Sequence, residues 1–209
     1  MDDPIISPDT RRINRFPPRQ LQTRKWADLA VGHIPSFDPQ TWDLTIFPVP
    51  LVNHVKRFSW AEFVALPRVS VFADMHGETR LSRLDNLWHG IATRELRNHV
   101  TISSTAQFVM IHCDYGFCTN LPIEDFFGED CLFALKHDGQ DLLPAQGYPV
   151  RLVVPRLYAW KSARWVRGVE FMEADRPGFF ESWENGGYHM RGDPWQVDES
   201  GDGQRLRKR

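Results

Sequence analysis

Apolar residues along this chain recur in short runs and alternations, broken by turns rich in Pro, Gly and Asp, the pattern of many strands with few helices. After the turn Pro35-Ser36-Phe37-Asp38-Pro39, the segment Thr41-Trp42-Asp43-Leu44-Thr45-Ile46 reads as a strand. Ser59 and Glu62 have the spacing of a capping box, in which hydroxyl and carboxylate each satisfy an orphaned amide. A short helix is therefore expected over residues 60–66, closed by Pro67. Val69, Val71 and Ala73 then alternate with Arg68, Ser70 and Phe72 as a strand aimed at Asp74-Met75-His76. Thr93 is placed to cap a short helix through Leu96, and Pro122 to open a helical turn through Phe126. Residues 108–113, 132–137, 150–154 and 166–171 read as further strands, with Asp138-Gly139 as a hairpin turn because Gly tolerates positive φ. These elements predict an α+β domain that is mainly β.

Both ends lack that pattern. Residues 1–25 carry Arg11, Arg12, Arg15, Arg19, Arg24 and Lys25 among prolines and polar residues. They are expected to form an extended arm, either free or laid over the domain or a neighbour through Ile5, Ile6 and Phe16. The domain proper is expected over residues 26–197, and residues 198–209 as a disordered basic tail ending in Arg205, Arg207, Lys208 and Arg209.

Composition adds bounds rather than a function. The 209 residues suit one domain with an arm, and 42% hydrophobic residues with 8 Trp can fill a core. A formal net charge of -2 argues against nucleic acid or an anionic membrane as a general partner. No apolar run reaches the roughly 18 residues a membrane span requires. The start, Met1-Asp2-Asp3-Pro4, has no basic region leading into an apolar stretch, so no secretory signal is expected. Cys113, Cys118 and Cys131 form no C-x-x-C pair, which favours reduced thiols and a cytoplasmic setting.

Candidate chemistry gathers in two stretches. In the first, four ionisable side chains fall within Asp74-Met75-His76-Gly77-Glu78-Thr79-Arg80, at the end of a strand, where Arg80 has the planar fork that holds an oxyanion. An exposed loop with satisfied charges is the plainer reading of the same residues. In the second, Arg151 interrupts an apolar strand, and Lys161 and Arg164 flank Ser162, a set suited to cradling phosphate. Solvated charge on strand edges is its plainer counterpart. No P-loop, dinucleotide fingerprint, G-x-S-x-G elbow or zinc-protease helix motif is present. His112 and Cys113 are adjacent in a strand and point to opposite faces, so they cannot share one metal ion.

Taken together, these blocks resemble the molybdopterin-binding domain of the sulfite oxidase family, in its short soluble branch, from about Trp26 to Trp195. The resemblance rests on Asp74-Met75-His76, Thr79-Arg80, residues 84–90, Thr119-Asn120-Leu121-Pro122, His137-Asp138-Gly139, residues 149–155 and 158–165, and Arg191-Gly192-Asp193-Pro194-Trp195. It implies a sulfite-oxidase-type fold of mixed sheets with short helices, and a molybdopterin cofactor with or without molybdenum. The positions holding the pterin and its phosphate match Arg151, Lys161, Ser162 and Arg164, with His76 and Cys113 also at the pocket and Arg80 as the catalytic, anion-attracting residue.

The sequence departs from the family where the metal would sit. The cysteine that supplies a further sulfur to molybdenum corresponds to Gly77, which has no side chain to offer and leaves no metal ligand to name. Glu78 and Leu81 replace an apolar residue and a tryptophan, and Phe117 stands where the family has a tyrosine near the metal. Near Leu29-Ala30-Val31-Gly32 a polar side chain facing the cofactor is missing. Cys118 and Glu78 are the candidates for a substitute ligand.

Two functions follow from the resemblance. One is a molybdenum-dependent oxidoreductase with altered coordination, acting on a small oxyanion or sulfoxide-type substrate and passing electrons to a protein partner. The other is an inactive member serving as a structural or docking subunit, with cofactor or with an empty pocket.

Overall fold

A computed structural model describes residues 3–25, 33–182 and 192–195. The start of the domain near Trp26, the segment Leu29-Ala30-Val31-Gly32, Arg191 and the tail of residues 198–209 lie outside the described residues.

Twelve strands and two short α-helices run in the order β1 (Ile5–Ile6), β2 (Leu21–Gln22), β3 (Asp43–Phe47), β4 (Lys56–Ser59), α1 (Trp60–Val64), β5 (Val69–His76), β6 (Leu81–Ala92), β7 (Phe108–Cys113), β8 (Cys118–Pro122), α2 (Ile123–Phe126), β9 (Leu132–His137), β10 (Gln140–Asp141), β11 (Arg151–Val153) and β12 (Val166–Met172). The larger sheet has the order β1-β5-β6-β9-β10, with β11 also paired to β9 and β2 to β6. The smaller has the order β4-β3-β12-β7-β8. Parallel pairs (β1 with β5, β2 with β6, β3 with β12) sit among antiparallel ones, so both sheets are mixed.

The two sheets face each other across one core and the larger sheet carries a second. Strand β9 shows why: Phe133 and Leu135 join the core that holds Ile46, Ile111 and Phe171 of the smaller sheet, whereas Leu132 and Ala134 join Val71, Ala73, Met75 and Trp88 behind it. A strand buried on both faces needs an unbroken apolar run, and Leu132-Phe133-Ala134-Leu135 is one. The Asp138-Gly139 hairpin follows, both residues at positive φ (49° and 78°).

Most of the expected elements are present, with shifted ends. The capping box forms: Ser59 N–H donates to Glu62 Oε2 at 2.8 Å and Glu62 N–H to Ser59 Oγ at 3.4 Å. Thr93 does not act as the expected cap. The 3₁₀ helix Thr93–Asn98 has Ala92 at its N-cap, and the buried Thr93 hydroxyl instead donates to Phe126 O. The longest strand, β6, has no clean alternation in sequence. Its register shifts opposite Ala73/Met75 and at His89/Gly90, and Asp85 takes a positive φ of 61°. At the second shift a Cβ on Gly90 would lie 1.9 Å from Phe133 O, so the strands can approach only over glycine.

The arm is paired to the larger sheet through its described residues. Ile5 and Ile6 align with Val71 and Phe72, Leu21 and Gln22 with Leu81 and Ser82.

Gly90→Ala should lower stability by about 3 kcal/mol, since backbone rather than a side-chain tip must move. Denaturant unfolding reads it, and an unchanged midpoint would contradict the close approach. His137, buried beside Asn86 Oδ1 at 3.1 Å, has its pKa pulled down to about 4 by burial, against the raising effect of Asp138. The unfolded chain takes that proton near pH 6.5, so stability should fall as pH drops from about 6.5 to about 4 and level off below. His137→Gln should flatten that part of the stability-against-pH curve.

Candidate functional site

The turn after β5 and the segment after β11 meet at a cavity of about 290 Å³. Met75, Gly77 and Glu78 line it from the first, and Arg151, Trp160 and Arg164 from the second. The Gly77 turn is closed by two backbone bonds, Gly77 N–H to Leu81 O at 2.8 Å and Arg80 N–H to Gly77 O at 3.1 Å. Below it Asp74 is fully buried and accepts from Arg15 of the arm at both oxygens, 2.8 Å from Nε and 2.5 Å from the terminal nitrogen, while also accepting Asp85 N–H at 3.0 Å. The Asp74 carboxylate raises the Arg15 pKa above its ordinary value, chiefly through these hydrogen bonds.

Arg151 and Arg164 are neighbours across an antiparallel bridge, and one loop holds both. Arg164 donates to Ala145 O at 2.9 Å and Arg151 to Gln146 O at 3.3 Å. Carbonyl oxygens satisfy donors without cancelling charge. Burial, with Arg164 adding repulsion, pulls the Arg151 pKa down to about 9, and burial lowers that of Arg164 too. Two guanidiniums, one buried and one half-buried, thus stand side by side in one wall of the cavity.

The other expected residues are placed differently. Lys161 is fully buried and spends its donors on Asn120 O (2.6 Å), Asn120 Oδ1 (2.8 Å) and Glu181 Oε1 (2.6 Å), outside the cavity lining. Burial pushes the Lys161 pKa down and that of Glu181 up, and their mutual attraction opposes both shifts. Ser162 Oγ accepts Val154 N–H at 3.0 Å, fixing the strand end that carries Arg164. Arg80 lies on the exposed side of the turn at a positive φ of 65° and is absent from the cavity lining.

His76 is also outside that lining, since strand alternation turns Met75 and Gly77 one way and His76 the other. Its Nδ1 lies 2.8 Å from Ser82 Oγ, and the Ser82 hydroxyl donates to Gln20 Oε1 at 3.0 Å. His76 Nδ1 therefore carries the hydrogen. Nε2 is a buried acceptor with no partner among the described residues, and burial lowers the His76 pKa.

Cys113 borders a small cavity of about 30 Å³ with Phe117 and Cys118, which shares Trp160, Arg164 and Phe180 with the larger one. Burial pushes both thiols up from their ordinary value, away from the thiolate that binds metal. A further cavity of about 220 Å³ is lined by Asp9, Arg12, Asp125, Arg156 and Asp193, and by none of the expected ligand residues.

Known proteins match this arrangement. Residues 31–180 match the oxidoreductase molybdopterin binding domain. The chain belongs to that family. It is 41% identical over 183 residues to the uncharacterized oxidoreductase YuiH of Bacillus subtilis (strain 168), covering 87% of this chain and 90% of that protein. Among solved structures it is similar to the sulfane dehydrogenase SoxCD from Paracoccus pantotrophus, with TM-score 0.63 and 17% identity over 73% of this chain and 43% of that one. That likeness is one of fold, and the fold is the sulfite-oxidase type implied by the motifs.

The cavity fits the two parts of a molybdopterin cofactor unequally. The paired guanidiniums and the flat face of Trp160 suit a phosphate-bearing heteroaromatic group. The metal has no protein thiolate at Gly77, and no group of three or more His, Cys, Asp or Glu among the described residues is arranged to hold a metal ion. Sequence reasoning missed Gln20, Trp160, Phe180 and Glu181 as parts of the site or its supports, because nothing local marks them.

Asp74→Asn should cost about 3 kcal/mol, because the Arg15 guanidinium loses its buried counter-charge. The variant tests whether the arm is anchored here: Arg15→Ala alone should cost a similar amount, and the double variant little more. Additive losses in unfolding experiments would show that the two residues act separately.

Proposed function

We propose that this family member binds the phosphate-bearing pterin of a molybdopterin cofactor between the Gly77 turn and the Arg151–Arg164 wall, without a protein thiolate on the metal. One observation carries the reading: Arg151 and the half-buried Arg164, adjacent across a β-bridge, both line the cavity that Gly77 also lines. A dianionic phosphate would bring negative charge to that pair, and the planar guanidinium fork matches its oxygens.

The protein's own part is to bind and orient. Arg151 and Arg164 hold the anionic end, Trp160 offers an apolar face, and the closed Gly77 turn shields the opposite side. In a cofactor of this class, molybdenum supplies two-electron oxygen-atom transfer, while the protein sets position and field. With Gly77 in place of a thiolate and Phe117 in place of a hydroxyl, the reading favours a member that has left ordinary turnover, a cofactor-holding or docking subunit. The second reading, an oxidoreductase acting on a small oxyanion with altered coordination, has one specific support: Glu78 brings a carboxylate to the same cavity. Arg80, on the exposed turn, gives it none.

Purification from a host that makes the cofactor separates these readings. Oxidised-pterin fluorescence should be present in the wild type with molybdenum well below equimolar to pterin, and Arg151→Ala should lower the pterin by about tenfold or more. Equimolar molybdenum would favour the second reading, and absent pterin would sink both. Gly77→Cys should raise the molybdenum-to-pterin ratio and add a sulfur-to-metal absorption band. Its Cβ would meet Leu81 O at 3.2 Å and Thr79 Oγ1 at 3.4 Å, so the backbone needs only a small shift. No change in ratio or spectrum would show that the remaining departures have closed the metal position.

A further inference from the structure

The cavity has a third wall that does not come from the domain at all. Thr23 and Lys25 of the arm line it, together with Arg83 of β6. This placement is held at several points in succession. Gln20 Nε2 donates to Gly77 O at 2.8 Å and Gln20 Oε1 accepts the Ser82 hydroxyl at 3.0 Å. Leu21 N–H donates to Arg80 O at 2.9 Å and Thr23 N–H to Ser82 O at 2.8 Å. Arg83 then reaches Arg24 O at 3.1 Å, and Thr23 Oγ1 accepts Lys25 N–H at 3.1 Å. Gln20 is buried although it belongs to an arm, and Arg15 is anchored on Asp74 one layer below. The arm from Arg15 to Lys25 is thus fastened to the very hairpin that carries Gly77.

Charge gives that wall a purpose. Among the described residues, four cations line the cavity, Lys25, Arg83, Arg151 and Arg164, against one carboxylate, Glu78. The chain as a whole carries a net charge of -2, so this concentration is local. Arg83 is engaged with Asp138 at 3.4 Å as well as with Arg24 O. Lys25, by contrast, is an exposed residue that lines the cavity from a segment whose backbone is tied to β6. An exposed ammonium at the mouth of an anion cavity costs little to place and gains from a ligand's charge.

We propose that the arm is a working part of the ligand site, with Lys25 and Thr23 contacting the anionic group of the bound ligand from the side opposite the domain's own arginines. The inference rests on the cofactor reading above and adds a specific contributor to it. The ligand class is a phosphate monoester, bound by the adjacent pair Arg151 and Arg164 and closed over by Lys25. Such a site would release its ligand faster when salt is raised or when Lys25 is lost, with the fold unchanged.

The full-length chain, purified from a host that makes the cofactor, tests this by pterin retained after gel filtration, and a parallel titration uses inorganic phosphate. Lys25→Ala should weaken both by about fivefold, as expected of a partly exposed charge contact, with the thermal midpoint unchanged. Lys25→Arg should restore most of the loss, and Lys25→Ala should reduce the salt dependence of phosphate binding. Wild-type retention in Lys25→Ala would overturn the role of the arm while leaving the cofactor reading intact. A wild type that binds phosphate but no pterin would sink the cofactor reading, and the phosphate titration would still decide the arm. Binding of neither would overturn both.

Discussion

Burial of the larger sheet on both faces is the constraint from which the site follows. Strands β6, β9 and β11 each contribute side chains to two cores and β5 to the second, so neither face can be left to water. The second face is covered in part by Ile5 of the arm and by Leu142, Tyr148 and Ala159 from the segments flanking β11. That wrapping brings Arg164 back across Arg151 and sets the carbonyls of one loop against both guanidiniums. The cation pair is therefore a product of how the sheet is enclosed, and its desolvation is built in by the same packing.

The strands with clear runs or alternation, β3, β5, β7, β9 and β12, were legible in sequence because each presents one consistent periodicity to its cores. Strand β6 was not, although it is the longest. Two register shifts and the positive φ of Asp85 break its period, and the reasons for them, Gly90 against Phe133 O and Asp74 against Asp85 N–H, lie in distant segments. The site divides the same way. Arg151 and Arg164 stood out as charges in an apolar stretch, and they line the cavity. Lys161 gave the same signal but is consumed by Asn120 and Glu181, 41 and 20 residues away along the chain, by no rule of local sequence. Nothing in the arm marks Gln20 or Lys25 as more than polar residues in a polar stretch.

The departures from the family pattern also have a shape. Gly77 and Glu78 border the larger cavity and Phe117 the smaller one that adjoins it, while the arginine pair on the far wall is kept. Phe117 packs edge-on against Phe179 with centroids 4.6 Å apart, an apolar contact at the edge of the smaller cavity. Burial raises the pKa of the thiols nearest this region, which makes them poor metal ligands.

Glycine at position 77 is not demanded by its backbone. Gly77 does not have the positive φ seen at Gly116, Gly139, Gly147 and Gly192, and the atoms a Cβ would meet leave it nearly enough room. Folding therefore exerts little pressure to keep a glycine there, in contrast to Gly90. A side chain introduced at position 77 would therefore report on what the cavity contains more than on the architecture around it.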